Sequence, residues 1–415
     1  MADTLQTLKR LGLIKLLLLA ILLRLLLMPF YLHPDIKTYH FQASFLKQGV
    51  WDIYSYLSDN KDKLPLKEEF VYFPLTYIFL GSYQILMSPF LGADFVNWLH
   101  DASQQANERI GIFRYLFILK LPYLLIDIAI AFVLMRLFTN PADMKKALIF
   151  WLFNPFSLAI IYIFSNVDII PVLLSLVSLL LFKNKRFLLS GFTLALATGF
   201  KAYPILFLPF LLIFIKDFKK RLLMVSITLG TVGAIIAPFW SKAFLNSALV
   251  SSLTTRLAFP GIGIGFGEAL MVGIVLLSIL FFTLVISTNR NTEDIWYYLL
   301  AVLLIIFSSI HFHIQWLLWI IPYLVIYYIY HKDKDSVKLV WVWIALASII
   351  PLLYDDRSMT ISLLSTLSPL YNLIPTPFLL LQHFYDPFLT QGVIHSVIFG
   401  ISLMLLWRIL KVLKI

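Results

Sequence analysis

The sequence predicts an all-α polytopic membrane protein, and three observations carry that prediction. Of the 415 residues, 60% are hydrophobic and only 13% charged, and the mean hydropathy is +0.89. The apolar residues collect into long runs, at roughly 11–31, 71–92, 113–138, 147–164, 168–183, 187–216, 222–240, 267–287, 296–310, 314–330, 337–354 and 389–410. Short basic clusters sit between the runs. A soluble domain of this size could not hide so much apolar surface, so the solvent that suits the chain is a bilayer. The net charge of +11 would suggest nucleic acid in a soluble protein. Here its distribution is the positive-inside pattern, so no nucleic-acid partner is expected. Cysteine is absent, which excludes disulfides and thiolate metal sites.

The elements follow in order from charge and parity. The N-terminal stretch has a basic start and no small-residue cleavage site, so 11–31 is expected to be a retained first span. The basic clusters are Lys9/Arg10/Lys15, Lys145/Lys146, "KNKR" at 183–186, "KDFKKR" at 216–221, "HKDKD" at 331–335 and the tail "WRILKVLKI". Placing them all in the cytoplasm leaves 71–92 on the outer side, because Pro74 and Pro89 leave about 14 residues, or ~21 Å of helix against a ~30 Å core. Residues 32–112 then form one large outer loop with membrane-surface helices, in which acidic residues outnumber basic ones. The run 187–216 starts and ends at basic clusters, so it is expected to turn back at "GFKAYP". Gly199 and Pro204 break the helix there, leaving Lys201 near membrane depth. The expectation is one membrane domain over 1–415 with about twelve spans and both termini cytoplasmic. Residues 113–354 form its central helical module, and 355–415 a C-terminal loop and last span.

With this topology a few polar groups converge on the outer face: Asp35 with His33 and His40, Asp168 in "FSNVDIIP", Lys201, Arg256 in "SSLTTRLAFPG", and His311 and His313 in "SSIHFHIQWLLWIIP". The two histidines could equally be interfacial anchors beside Trp316 and Trp319. Lys120 and Asp127, seven residues apart on one helix face, are expected to form a structural ion pair between helices. No Gly-rich phosphate loop, HExxH or Ser-His-Asp arrangement is present.

Six segments, in order, resemble the GT-C membrane glycosyltransferases. They are "HPDIKTYHFQASFLKQGVWDIYSYL", "VYFPLTYIFLG", "KLPYLLIDIAIAFVLMRL", "FNPFSLAIIYIFSNVDIIP", "SGFTLALATGFKAYPILFLPFLL" and "HFHIQWLLWIIPYL", covering much of 33–330. Within that superfamily the nearest resemblance is to the polyprenol-phosphate-mannose-dependent mannosyltransferases, with the first GPI mannosyltransferase a more distant likeness. The resemblance implies a GT-C-like fold and a donor sugar on polyprenyl or dolichyl phosphate. It also implies a glycolipid or glycan acceptor, and an active site on the extracytoplasmic side of the plasma membrane. It makes Asp35 the catalytic base and puts His313 near the donor phosphate, with Asp168, His311 and Tyr39 among the substrate-binding residues. Two departures stand out: Pro34 precedes Asp35 where some relatives have paired acids, and "SNVD" replaces a Gly-Gln-x-Asp pattern.

Such a transfer needs one base to take the acceptor's proton as its oxygen attacks the anomeric carbon. The phosphate leaving group needs cationic partners, for which Arg256, Lys201 and His313 are candidates. A single displacement needs one carboxylate, unlike the paired acids of glycosidases. The acidic groups are too few for a metal cage, so transfer is expected to need no cofactor and no metal. The competing reading is a transporter or flippase of lipid-linked sugars, and glucose or arabinose could stand in for mannose.

Overall fold

In a computed structural model the described residues are 12–103, 107, 111–250, 253–257, 261–288, 290–331 and 333–414. Among them five helices are long and apolar enough to cross a bilayer: Ile112–Arg136, Phe218–Phe239, Thr292–Ser309, Lys334–Leu352 and Pro387–Val412. A sixth arises if Pro141–Leu152 and Pro155–Ile163, bent by 41°, are one span. That bend has a local cause. Asn154 precedes Pro155, which disfavours helical backbone, and its side chain caps the second half by accepting from Phe156 N and Ser157 N. Shorter apolar helices occupy Ile169–Lys183, Phe187–Phe200, Tyr203–Ile213, Val272–Ile286 and Ile321–Tyr330. The first helix among the described residues, Ile14–Leu27, has 14 residues.

Glycines set the direction of two neighbouring helices. A Cβ on Gly191 would lie 2.7 Å from Thr228, and one on Gly199 would lie 2.9 Å from Ile235. Phe187–Phe200 and Phe218–Ile236 therefore run parallel in close contact. The chain has to return between them, and it does so after Lys201, whose extended backbone (φ −152°, ψ 142°) ends the first helix. The expected turn-back at "GFKAYP" is present.

One end of the helical body carries the described residues of the clusters at 183–186 and 331–335 and of the tail, while Lys9 and Arg10 lie outside the described residues. There Lys183 pairs with Glu293 at 2.7 Å, Arg408 with Asp333 at 3.2 Å, Trp296 stacks on Tyr330, and Phe138 packs against Tyr330 at a tilt. The candidate residues gather at the opposite end.

Three expectations need correction. The helix Pro74–Leu91 has 18 residues, ~27 Å, and runs through Pro89. The Ser88 hydroxyl takes the Ile85 carbonyl that a proline cannot reach, at 2.9 Å. Length therefore does not decide that segment. Its two ends meet Phe200 and Arg114, each at the candidate-residue end of its own helix. Second, the fold is not helical throughout. Gly261–Gly265 and Glu268–Met271 pair as an antiparallel hairpin where a span had been expected to begin. Third, the ion pair expected between helices is formed by Asp127 with Arg24, while Lys120 forms none among the described residues.

Asp127 accepts from Arg24 Nε at 2.6 Å, Trp151 Nε1 at 2.6 Å and the Tyr162 hydroxyl at 2.8 Å, and both charged side chains are fully buried. Lys120 donates to two main-chain carbonyls, Tyr31 at 2.7 Å and Tyr162 at 2.8 Å. The shared helix face was read correctly, but each charge finds its partners on other segments.

Candidate functional site

Asp35 is placed by local sequence chemistry. His33 adopts extended backbone and caps the helix Pro34–Ser44, its Nδ1 accepting from Asp35 N at 3.2 Å, and Pro34 occupies the first helical position. Asp35 thus sits in the first turn, where the helix dipole attracts negative charge. Tyr39, one turn further on the same face, donates to Asp35 Oδ2 at 2.8 Å. Gln315 Nε2 reaches the same oxygen at 3.3 Å from a segment 280 residues away.

The other oxygen, Oδ1, receives no donor among the described residues. His33 Nδ1 lies 3.5 Å from it, and that nitrogen already acts as an acceptor. The Asp35 side chain is 28% exposed. One carboxylate oxygen is held by two donors, and the other receives none among the described residues.

Asp168 has the opposite environment. Its side chain is 0% exposed, Oδ1 is 3.2 Å from Lys201 Nζ, and Oδ2 accepts from Trp319 Nε1 at 2.8 Å. The turn that carries it is sharp. Ser165 has a left-handed backbone (φ 57°), uncommon for a residue with a side chain. Asn166 Oδ1 then accepts from Asp168 N at 2.8 Å, closing an Asx turn.

Lys201 lies over the Tyr72 ring at 4.2 Å, with Trp316 and Trp319 at 5.4 and 5.6 Å. The rings form a ladder. Tyr203 stacks on Trp319 at 4.1 Å, and Trp319 on Trp316 at 5.0 Å. Arg256 covers Trp316 at 4.9 Å while donating to the His311 carbonyl at 2.9 Å. Both tryptophans are buried, so they are not an interfacial belt, whereas His311 is exposed and His313 half-buried.

Tyr72 joins the two acidic centres. Its hydroxyl lies 3.4 Å from that of Tyr39 and accepts from Asn166 Nδ2 at 3.3 Å. Burial raises the Tyr39 pKa well above its ordinary value, and the Asp35 charge adds to the effect, so Tyr39 stays a donor. The structure thus brings Asp35, Tyr39, Asp168, Lys201, Arg256, His311 and His313 to one end of the molecule. His40 falls outside the group. Its Nδ1 meets Gln84 on the Pro74–Leu91 helix at 2.9 Å.

Sequence reasoning did not single out Gln315, Tyr72, Asn166 or the tryptophan ladder. Gln315 and Tyr72 lie inside "HFHIQWLLW" and "VYFPL", but their roles depend on contacts between distant segments.

His313 differs from the expected cation. Burial first, then Arg256 and His311, lower its pKa to about 4, with Asp35 opposing. It is neutral near pH 7, and its Nδ1 is buried without a hydrogen-bond partner among the described residues. The sign follows from linkage. Below ~6.5 the unfolded chain binds a proton that the fold refuses, so this histidine weakens the fold as pH drops from there towards 4. We predict that apparent donor affinity stays level as pH falls from ~8 to ~6, measured as turnover against donor concentration. A steep tightening across that window would show the imidazole charging on the donor.

Comparison with curated proteins and with solved structures finds no match. A family model does match. The matched stretch contains Asp168, Lys201, Arg256 and His311, and it ends one residue before His313. Residues 110–312 match the model of glycosyltransferase family 87, which indicates a membrane-embedded enzyme with glycosyltransferase activity.

Proposed function

We propose that the protein is an inverting glycosyltransferase that moves a hexose, mannose by preference, from a polyprenyl or dolichyl phosphate to an acceptor hydroxyl. The observation that carries the proposal is the contrast between the two acids. Asp35 keeps one oxygen undonated and partly exposed, whereas Asp168 is buried with both oxygens engaged. Only the first is arranged to take a proton from a substrate. Asp168 instead holds Lys201 over the aromatic ladder.

In this reading Asp35 Oδ1 removes the acceptor hydroxyl proton as that oxygen forms the new bond to the anomeric carbon. The bond from the anomeric carbon to the phosphate oxygen breaks, and polyprenyl phosphate leaves with the electron pair. Tyr39 and Gln315 fix the carboxylate through Oδ2. Arg256 and Lys201 supply positive charge for the phosphate, and neutral His313 supplies a hydrogen bond. The site is assigned to the extracytoplasmic side. The parity of the basic clusters, the parallel pair around the Lys201 break and the gathering of candidates opposite those clusters all favour twelve traverses with this orientation.

Arg256→Ala and His313→Ala are each expected to weaken donor use by ~1–3 kcal/mol, roughly 5- to 150-fold. The defect should persist unaltered when the acceptor is changed. Turnover against donor concentration at fixed acceptor tests this, and a dependence matching the parent protein would remove both residues from the site. A panel of polyprenyl-phosphate sugars tests the donor class. Mannose is expected to be the best substrate, and equal use of glucose or arabinose would overturn the sugar assignment.

A further inference from the structure

The hairpin Gly261–Met271 is the least covered element of the described chain. Every residue of both strands is exposed, including Ile262, Ile264, Leu270 and Met271, and Phe266 at the tip is bare. The turn thrusts that ring outward. Gly265, Phe266 and Gly267 have φ of 115°, 51° and 85°, and for phenylalanine the left-handed region is unfavourable. Register places Ile262 opposite Leu270 on one face and Gly263 opposite Ala269 on the other. One face thus carries Ile262 and Leu270 with Glu268 towards the tip, and the other carries Gly261, Gly263, Ala269 and Met271.

A two-stranded hairpin as exposed as this one is marginal in water, and its open edges invite pairing with other chains. The same open edges exclude it from the hydrocarbon core, where unpaired N–H and C=O groups have no partner. Glu268 beside the tip excludes it too. The remaining environment is the headgroup layer, where water and headgroups satisfy the edges while acyl chains meet Ile262 and Leu270.

Continuity supports that placement. Met271 runs without a linker into the apolar helix Val272–Ile286, on which Ile274, Val275, Ile279, Phe282 and Ile286 are likewise exposed.

We propose that the hairpin Gly261–Met271 is a membrane-contacting element that lies in the headgroup region on the Arg256 side of the protein, with Phe266, Ile262 and Leu270 against the lipid. Arg256 is five residues before its first strand, so this contact fixes the loop bearing that guanidinium at the level of lipid phosphates. The membrane contact itself does not depend on the glycosyltransferase reading.

Because the chain has no cysteine, single substitutions can be labelled cleanly. Phe266→Cys, Ile262→Cys and Leu270→Cys, each carrying an environment-sensitive fluorophore, would be reconstituted in phosphatidylcholine liposomes, with exposed Lys63→Cys as the aqueous reference. We expect lipids with a nitroxide near the headgroup to reduce emission at least ~2-fold, more than lipids with a deep nitroxide, and aqueous iodide to quench less than at position 63. Iodide quenching equal to the reference would place the hairpin in water. Dominant quenching by the deep nitroxide would place it in the core, and protection from every quencher would mean that protein covers it. Each of these three results would overturn the proposal.

Discussion

Asp35→Asn is expected to fold and to retain donor binding, yet to lose at least ~100-fold in turnover. The amide preserves the shape that accepts the Tyr39 hydroxyl on one side, but it cannot accept the proton of an attacking hydroxyl. Asp168→Asn should differ in kind. It leaves Lys201 buried without its counter-charge, so stability and donor binding should suffer together. Measuring turnover, donor dependence and thermal unfolding for both variants separates the roles. Near-normal turnover of purified Asp35→Asn would remove it as the base.

The largest stability effect is expected at the other buried acid. Asp127→Asn should cost ~3–5 kcal/mol, because Arg24 would be left charged and uncompensated inside the helical body. Trp151 donates to Oδ1 and Tyr162 to Oδ2, so the single oxygen of asparagine serves only one of them and the lost donor contact adds to the arginine's cost. Adding Arg24→Met to Asp127→Asn should recover much of it, since an apolar chain of similar length needs no partner. Thermal unfolding in detergent, followed by tryptophan fluorescence, checks both variants. Unfolding of Asp127→Asn indistinguishable from the parent would contradict the assignment.

These two acids also show what the sequence could and could not reveal. Asp35 stood out in the sequence because it lies within a few residues of the end of the first apolar run, while the cap that positions it appears only in the structure. The break at Lys201 was legible because glycine and proline interrupt a run bounded by basic clusters. The partner of Asp127 was not legible. Arg24 lies 103 residues away inside "LLLLAILLRLLLMPF", and no spacing rule links the two.

Lys120 was misread for a related reason. Its acceptors are main-chain carbonyls exposed where one segment leaves a helix and another passes through a π-turn, and carbonyls carry no sequence signal. The hairpin was missed because "GIGIGFGEALM" is apolar enough to merge with the helix that follows it. Its alternation of glycine and isoleucine, a period of two, was the available clue. The separation of Asp35 from Asp168 depended wholly on three dimensions, since hydrogen-bond occupancy decides which acid has an oxygen to spare.

The central claim is a single displacement at a lipid-phosphate sugar with Asp35 as base, and the anomeric configuration of the product tests it most directly. The purified protein would be incubated with a polyprenyl phosphate carrying a β-linked, isotopically labelled sugar, together with an acceptor. The product's anomeric centre would be read by NMR and the released polyprenyl phosphate quantified alongside. The account predicts an α-linked product with one polyprenyl phosphate released per glycosidic bond, both abolished in Asp35→Asn. A β-linked product, or movement of the intact lipid-linked sugar across a liposome membrane with no polyprenyl phosphate released, would contradict it.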